Sequence, residues 1–289
     1  MEKISNEFLS LCVSEQGAEI KELTRLSDNR QYIWEADPKF WDRSSPILFP
    51  AVGGLWNGEA RFNGKVYHTP RHGFIRDVRF NVKEKTASSV TLEHNATEEQ
   101  LKLYPFLYHF EVTYSLEGRT LNVVFKIQNC DARTMWFQIG GHPGFRLPDF
   151  DPADEVHGYA RLEGDVESIL HTGEQNCLIP GHFDPPVLEN NGMLALKSHT
   201  TGDSGLIFDH SQLRGVTLFD KHNQPFLHLS SEAPAFLLWA PAEAPFICIE
   251  PWFGLCDYAG FEGDYSMRPY VNEAKPGQTW QGGFRVEIF

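Results

Sequence analysis

The sequence predicts an all-β protein, a large antiparallel β-sandwich or barrel, and three observations lead to that prediction. Apolar and polar residues alternate in short runs, as they do in strands with one buried face. Gly, Pro, Asn and Asp separate these runs at close intervals, which is typical of tight turns. Helical signals are confined to one short stretch, so a sheet covered by helices is not expected. With 289 residues the chain is long enough for one large all-β domain or two smaller ones.

The clearest element is a hairpin in the middle of the chain. Residues 110–116 alternate with a period of two, Gly118 and Arg119 form the turn, and residues 121–127 form the second strand. Thr97 begins the one helical stretch as an N-cap, and Gln100 completes a capping box. Other short strands are predicted at 32–34, 90–93, 135–139, 206–208, 216–219, 236–239, 246–249 and 284–289.

Residues 149–191 are rich in Pro, Gly and acidic residues. This composition predicts long surface loops rather than a domain boundary.

Charge and cysteine usage limit the classes of partner and compartment. The chain has 39 acidic and 25 basic residues, a formal net charge of -14. Such a field repels nucleic acid and anionic lipid, so neither is an expected partner. The N-terminal residues lack the apolar stretch of a signal peptide, and the five cysteines show no C-x-x-C spacing. We therefore expect reduced thiols in a cytoplasmic protein, without zinc sites or disulfides.

Residues 71–77, with the sequence RHGFIRD, are the first candidate for a functional segment. In an extended conformation His72, Phe74 and Arg76 would share one face and could form a polar pocket wall. The alternative is an edge strand in which Arg71 or Arg76 pairs with an acid on the surface.

Residues 140–145, with the sequence GGHPGF, follow an apolar strand and are the second candidate. Two glycines and a proline around His142 indicate that the chain leaves the strand sharply and presents the imidazole at its end. Imidazole can give and take protons near neutral pH. The alternative is a histidine that only stabilises the turn.

The third candidate is an apolar run, residues 246–249, that ends in Glu250, Pro251 and Trp252. A carboxyl group at the end of a buried strand is either desolvated or faces a cleft. Trp252 offers an apolar plate suited to the C–H face of a sugar. The alternative is a solvent-exposed Glu250 beside a core tryptophan.

Asp203, in the run TTGDSG before an apolar strand, is the weakest candidate, because Asp, Ser and Gly are ordinary turn residues. The sequence shows no phosphate-binding glycine loop, no G-x-S-x-G elbow and no helical His pair for zinc. No cofactor and no metal are therefore predicted. A His and a Glu on a β scaffold predict proton transfer.

The same segments resemble the aldose 1-epimerase (galactose mutarotase-like) superfamily, and within it the LacX-like branch. The likeness extends over nearly the whole chain. It rests on LFPAVG at 48–53, RHGFIRD at 71–77, YPF at 104–106, GGHPGF at 140–145 and IEPWFG at 249–254.

The resemblance implies a single domain over residues 1–289, a large twisted antiparallel sandwich that binds a sugar in a concave cleft. It implies that His142 protonates the ring oxygen and that Glu250 takes the proton from the anomeric hydroxyl. By the same likeness His72 lies beside the sugar, and Asp203 binds sugar hydroxyls. The expected partner is a small sugar, and the chain is expected to be a monomer or homodimer.

The chain departs from the galactose mutarotase pattern at two places. Leu55-Trp56-Asn57 stands where those enzymes carry an Asn-Arg pair, and Pro143-Gly144-Phe145 follows the second histidine. The histidine is kept while the substrate contacts differ, so the resemblance implies the chemistry and leaves the sugar open.

Three alternatives to a mutarotase of a neutral hexose remain at this stage. A 1-epimerase of a hexose 6-phosphate or another anionic sugar would need an anion site, which Arg43, Arg71 and Arg76 could supply. A glycoside hydrolase would need a second carboxyl group facing Glu250. A non-catalytic carbohydrate-binding protein would need the aromatic residues and not the His–Glu pair.

Overall fold

The structure is a computed structural model that describes residues 1–189, 191–202 and 204–289. Strands account for nearly all of its regular structure. The one α-helix of these residues is α1 (Glu98–Leu101), with 3₁₀ turns at Trp56–Gly58, Ile75–Asp77, Glu174–Asn176 and Tyr265–Met267.

The strands of the described residues follow in chain order. They are β1 (Glu2–Ser5), β2 (Leu9–Val13), β3 (Ile20–Arg25), β4 (Arg30–Gln31), β5 (Ile47–Leu48), β6 (Glu59–Phe62), β7 (Lys65–His68), β8 (Asn81–Lys85), β9 (Ser89–Asn95), β10 (Tyr108–Glu117), β11 (Thr120–Asn129), β12 (Met135–Phe137), β13 (Ile139–Gly141), β14 (Gly144–Arg146), β15 (Gly158–Gly164), β16 (Ile169–Thr172), β17 (Leu178–Asp184), β18 (Leu194–Leu196), β19 (Leu206–Phe208), β20 (Leu213–Asp220), β21 (Pro225–Ser231), β22 (Ala235–Trp239), β23 (Phe246–Phe253), β24 (Asn272–Ala274) and β25 (Thr279–Ile288).

Two large antiparallel sheets make up the sandwich. The first has nine strands in the order β18-β15-β20-β21-β25-β11-β10-β9-β8. The second has the order β17-β16-β19-β22-β23-β13-β5, with β14 also paired to β23. The prediction of an all-β antiparallel sandwich is confirmed.

The second sheet has two buried faces with different neighbours. On β23, Ile247 and Ile249 join the main apolar core together with β10 and β11 side chains such as Val112 and Phe125. The alternate residues of β23 point to the opposite face, where Trp252 packs in a separate small cluster. The candidate pocket lies on this opposite face.

A buried ion pair joins the loops next to the pocket. Arg268 Nε donates to Asp257 Oδ1 at 2.6 Å, and each side chain is 1% exposed. The other oxygen of Asp257 accepts the backbone N–H of Trp56, and Arg268 also donates to the carbonyl of Leu255. These contacts connect the segments around residues 56, 257 and 268.

Several local predictions can be compared with the structure. The capping box at Thr97 and Gln100 is present. The expectation of loops over 149–191 is wrong in part, because β15, β16 and β17 lie in this region. β17 is exposed over most of its length, so its sequence lacks the alternation of apolar and polar residues that would have predicted a strand.

None of the helices in the described part of the chain has the length and apolar character needed to span a bilayer.

Candidate active site

His142 and Glu250 are brought together by backbone register. β13 and β14 both pair with β23, through Gly140 opposite Trp252 and through Gly144 opposite Cys248. His142 lies between the two short strands and therefore falls opposite Glu250. Cross-strand neighbours of this kind are close enough for side-chain contact, and His142 Nε2 lies 3.2 Å from Glu250 Oε1.

The glycines before His142 are required by close packing. A Cβ on Gly140 would lie 2.8 Å from Trp252 Cδ1, and one on Gly141 would lie 2.6 Å from Phe284 Cε1. Real Cβ atoms do not approach other atoms so closely, so larger residues would push the strand away from its neighbours. Glu250 is not at the end of its strand as predicted, because β23 continues through Pro251 to Phe253.

The pair is removed from solvent. Glu250 is 0% exposed and His142 is 5% exposed. Burial raises the pKa of Glu250 well above its usual range, opposed by the hydrogen bond from Trp252 and by the positive charges of Arg71 and Arg76. Burial, together with the positive charges of the neighbouring arginines, lowers the pKa of His142 to about 3.

These shifts correct one expectation from the sequence. The roles expected from the resemblance require an ionised Glu250 and a protonated His142, whereas burial favours a protonated carboxyl group and a neutral imidazole. Both forms hold one proton in total, and they differ only in which side of the 3.2 Å contact carries it.

Two tryptophans that the sequence analysis did not assign to the site contact His142. Trp41 stacks on its ring, with centroids 4.7 Å apart and planes at 24°. Trp239 meets the ring edge-on at 5.9 Å. An indole face favours a cation above it, so Trp41 opposes in part the effect of burial on the imidazole. Trp41 lies in a segment without strand pattern, and no sequence signal marked it.

Residues 71–77 do not form the extended strand that was considered. His72 has φ 64° and Gly73 has φ 68°, and a 3₁₀ turn follows at Ile75–Asp77. This turn docks on the β5 end, where His72 N–H donates to Gly53 O and Phe74 N–H to Phe49 O. A Cβ on Gly73 would collide with the carbonyl of Phe49, so only glycine fits there.

The turn places His72 beside the pair. Its ring centroid lies 5.7 Å from that of His142 and 6.1 Å from that of Trp252, and the residue is 4% exposed. Burial lowers the pKa of His72 well below its usual value, and Arg71 lowers it further. His72 is therefore neutral near pH 7.

The pocket has a volume of about 310 Å³, within the range of small-molecule sites. Six of the seven predicted site residues line it, namely His72, His142, Glu250, Arg71, Arg76 and Trp252. The seventh, Asp203, lies outside the described residues. The other lining residues that the argument uses are Trp41, Asp42, Arg43, Gly53 and Trp239.

Groups that could hold a metal can be named among the described residues. Their potential ligand atoms lie within 4.8 Å of one another in three sets: His142, Cys248 and Glu250; His171, His182 and Asp184; and Glu93, His109 and Glu111. Burial raises the pKa of the Cys248 thiol and of the Glu250 carboxyl well above their usual ranges. The first set would thus have to lose protons beside two arginines to bind a cation. The prediction of no metal stays a prediction.

Comparison with known proteins finds relatives that match almost the whole chain. A family model described as Aldose 1-epimerase matches residues 3–287. The chromosomal Protein LacX of Lactococcus lactis subsp. lactis is 28% identical, over 99% of this chain and 98% of its own length.

Two solved structures are also similar. A galactose mutarotase related enzyme from Lactobacillus acidophilus is 31% identical with a TM-score of 0.90, covering 100% of this chain and 97% of its own. A galactose mutarotase-like protein from Lactobacillus casei is 29% identical with a TM-score of 0.92, and each chain is covered over 100% of its length. The resemblance inferred from the sequence motifs is confirmed.

Proposed function

The chain belongs to the aldose 1-epimerase family, and from this premise we propose that it interconverts the α and β anomers of an aldose at the His142–Glu250 pair. The observation that carries the proposal is the contact of 3.2 Å between His142 Nε2 and Glu250 Oε1 inside a buried pocket. An acid and a base this close can reach the two neighbouring oxygens of a pyranose acetal together.

Ring opening needs two proton transfers. Glu250 takes the proton of the anomeric O1 hydroxyl, and His142 gives a proton to the ring oxygen O5 as the C1–O5 bond breaks. The product is the open-chain aldehyde. Rotation about C1–C2 and closure on the other face reverse both transfers, so the pair returns to its first state.

The single proton of the pair must lie on His142 when the sugar reacts. It reaches Nε2 from the Glu250 carboxyl group across the contact between them. Arg71 and Arg76 stabilise the carboxylate that results, and the face of Trp41 stabilises the imidazolium. Both forms carry the same number of protons, so the step needs no exchange with solvent.

The pH dependence of kcat/KM follows from the pKa directions of the free pair. Below about pH 3 the pair gains a second proton, Glu250 can no longer accept one, and activity falls. At high pH the pair loses its only proton, and the raised pKa of Glu250 moves this limb above the usual carboxyl range. Rates measured between pH 2.5 and pH 10 by NMR test this, and an acid limb near 6.5, the ordinary imidazole value, would contradict it.

The direct test of function is anomer exchange in freshly dissolved sugars. We expect polarimetry or NMR on α-glucose, α-galactose and a hexose 6-phosphate to show acceleration over the spontaneous rate for at least one of them. His142→Asn is expected to reduce that acceleration by about 10²–10⁴-fold, since it removes the proton donor. His109→Asn, on β10 outside the pocket, is the matched control.

The same measurements separate the alternatives. Sugar binding without anomer exchange in the wild type would favour a carbohydrate-binding protein. Release of reducing sugar from a glycoside would favour a hydrolase. Among the described residues that line the pocket the carboxyl groups are those of Asp42 and Glu250, and Glu250 contacts an imidazole rather than a second carboxyl group.

A further inference from the structure

Three arginines, Arg43, Arg71 and Arg76, line the same pocket as the His142–Glu250 pair. Nearby acidic side chains neutralise the positive charges of these arginines only in part. Arg43 Nη2 donates to Asp77 Oδ1 at 2.6 Å, and Arg76 Nε lies 3.8 Å from the other oxygen of that carboxylate. In the part of the chain that the structure describes, Arg71 has no carboxylate within 4.0 Å.

The close contact between Arg71 and His72 is not a hydrogen bond that would satisfy the guanidinium. The N–H of Gly53 points at His72 Nδ1 at 3.1 Å, and Arg71 Nε–H points at His72 Nε2 at 3.1 Å. A neutral imidazole has one nitrogen that can accept a hydrogen bond. The buried amide of Gly53 makes no other hydrogen bond in the described residues, so Nδ1 is the acceptor and Nε2 carries the proton.

Arg71 Nε–H therefore faces an N–H group and gains nothing from it. Its donors are available to a ligand in the pocket, as is the Nε2–H of His72. A guanidinium with free donors in a binding pocket is suited to a carboxylate or phosphate oxygen.

Arg76 supplies a second unmatched donor. Its Nη2 donates to the backbone carbonyl of Arg71 at 3.0 Å, which fixes the side chain. Its Nε is buried and makes no hydrogen bond. Burial lowers the pKa of Arg76, and the nearby charge of Arg43 lowers it further. The carboxylates of Asp77 and Asp42 oppose this effect only in part, and an anion bound in the pocket would oppose it further.

The position of the arginines relative to the reacting pair indicates which part of the sugar they face. Arg71 Nε lies 3.1 Å from His72 Nε2, and the ring of His72 lies 5.7 Å from that of His142. Arg76 Nη2 donates to the backbone carbonyl of Arg71, so these two arginines lie next to His72, the neighbour of His142. In the proposed reaction His142 faces O5, and C5, the ring carbon bonded to O5, carries the exocyclic C6.

We propose that the natural substrate is a hexopyranose with an anionic group at C6, a 6-phosphate or a 6-carboxylate, held by Arg71 and Arg76 with Arg43 beside them. This inference rests on the proposed function, because it uses His142 to orient the ring. It explains why a chain with a net charge of -14 keeps three arginines in one pocket.

Anomer exchange of matched sugars tests the proposal. NMR exchange rates are measured for glucose, glucose 6-phosphate and glucuronate, and for the corresponding galactose series. We expect kcat/KM for at least one anion to exceed that of its neutral parent by tenfold or more, since a charge-assisted contact contributes a factor of roughly ten to a hundred. The ratio between the two anions then distinguishes phosphate from carboxylate.

Arg71→Gln is expected to lower the preference for the anion by about ten- to a hundredfold. Arg79→Gln removes the same charge from an exposed arginine that pairs with Glu15 and does not line the pocket, and it should leave the preference unchanged. A preference that is absent in the wild type, or that Arg71→Gln and Arg79→Gln affect equally, overturns the proposal.

The experiment also separates this failure from that of the proposed function. Exchange of neutral sugars without a preference for anions leaves the proposed function standing and overturns the anionic substrate. If no sugar exchanges, the affinities for glucose 6-phosphate and glucose are measured by calorimetry, which tests anion binding independently of catalysis. In that case binding of glucose 6-phosphate at least tenfold tighter, and lost in Arg71→Gln, supports the proposal, and equal binding overturns it.

Discussion

Glu250→Gln is expected to reduce the enzyme-catalysed anomer exchange by about 10²–10⁴-fold, because the amide cannot take the proton of O1. Glutamine has nearly the shape of glutamic acid and can still accept the hydrogen bond of Trp252. The protein should therefore fold, and the loss should appear in kcat rather than in sugar binding. NMR magnetisation transfer between the two anomeric signals measures the rate.

Glu117→Gln is the matched control for this prediction. Glu117 is an exposed residue at the end of β10 and does not line the pocket, so exchange should continue at the wild-type rate. A Glu250→Gln rate within tenfold of the wild type would remove Glu250 from the chemistry. The family assignment would survive that result, whereas the proposed mechanism would not.

The second large effect is expected in stability. Arg268→Met should lower the free energy of unfolding by about 3–5 kcal/mol, because it leaves the buried carboxylate of Asp257 without its cation. Equilibrium unfolding in urea measures the change. Part of the loss should return in Arg268→Met combined with Asp257→Leu, although the N–H of Trp56 then lacks an acceptor.

Arg133→Met provides the comparison for this effect. Arg133 pairs with Asp131, but its side chain is 53% exposed. Exposed ion pairs contribute about 0–1 kcal/mol, so the unfolding midpoint should move little. Equal losses for Arg268→Met and Arg133→Met would show that burial does not set the contribution of these pairs.

The hairpin of β10 and β11 shows what the sequence predicts well. Alternation over 110–116 and 121–127 placed both strands, and the turn at Gly118 and Arg119 lies between the paired residues Glu117 and Thr120. Every signal for this element is local. The capping box of α1 is likewise made by residues three positions apart.

Elements fixed by distant contacts were harder to predict. The turn at His72 and Gly73 exists because it docks on Phe49 and Gly53, a contact that the segment itself does not encode. β17 was not predicted, because an exposed edge strand does not need apolar and polar residues to alternate. In both cases the missing information lay in another part of the chain.

The candidate site divides in the same way. The residue types of His142 and Glu250, and the glycines and prolines next to them, marked both as candidates, and the structure places them in contact. Their roles stay predictions until the variants are measured. The charge state of the pair depends on desolvation, which no sequence pattern displays. The stacking of Trp41 on His142 is equally a product of tertiary packing.

The shared register of β13 and β14 along β23 makes the contact between His142 and Glu250 more sensitive to chain length than to the identity of neighbouring side chains. An added or deleted residue between Gly140 and Gly144 would have to be absorbed as a bulge, or it would shift one strand and turn the imidazole away from the carboxyl group. We expect related sequences to vary in length at turns such as Gly118-Arg119, and to keep the spacing around His142 even where neighbouring side chains differ.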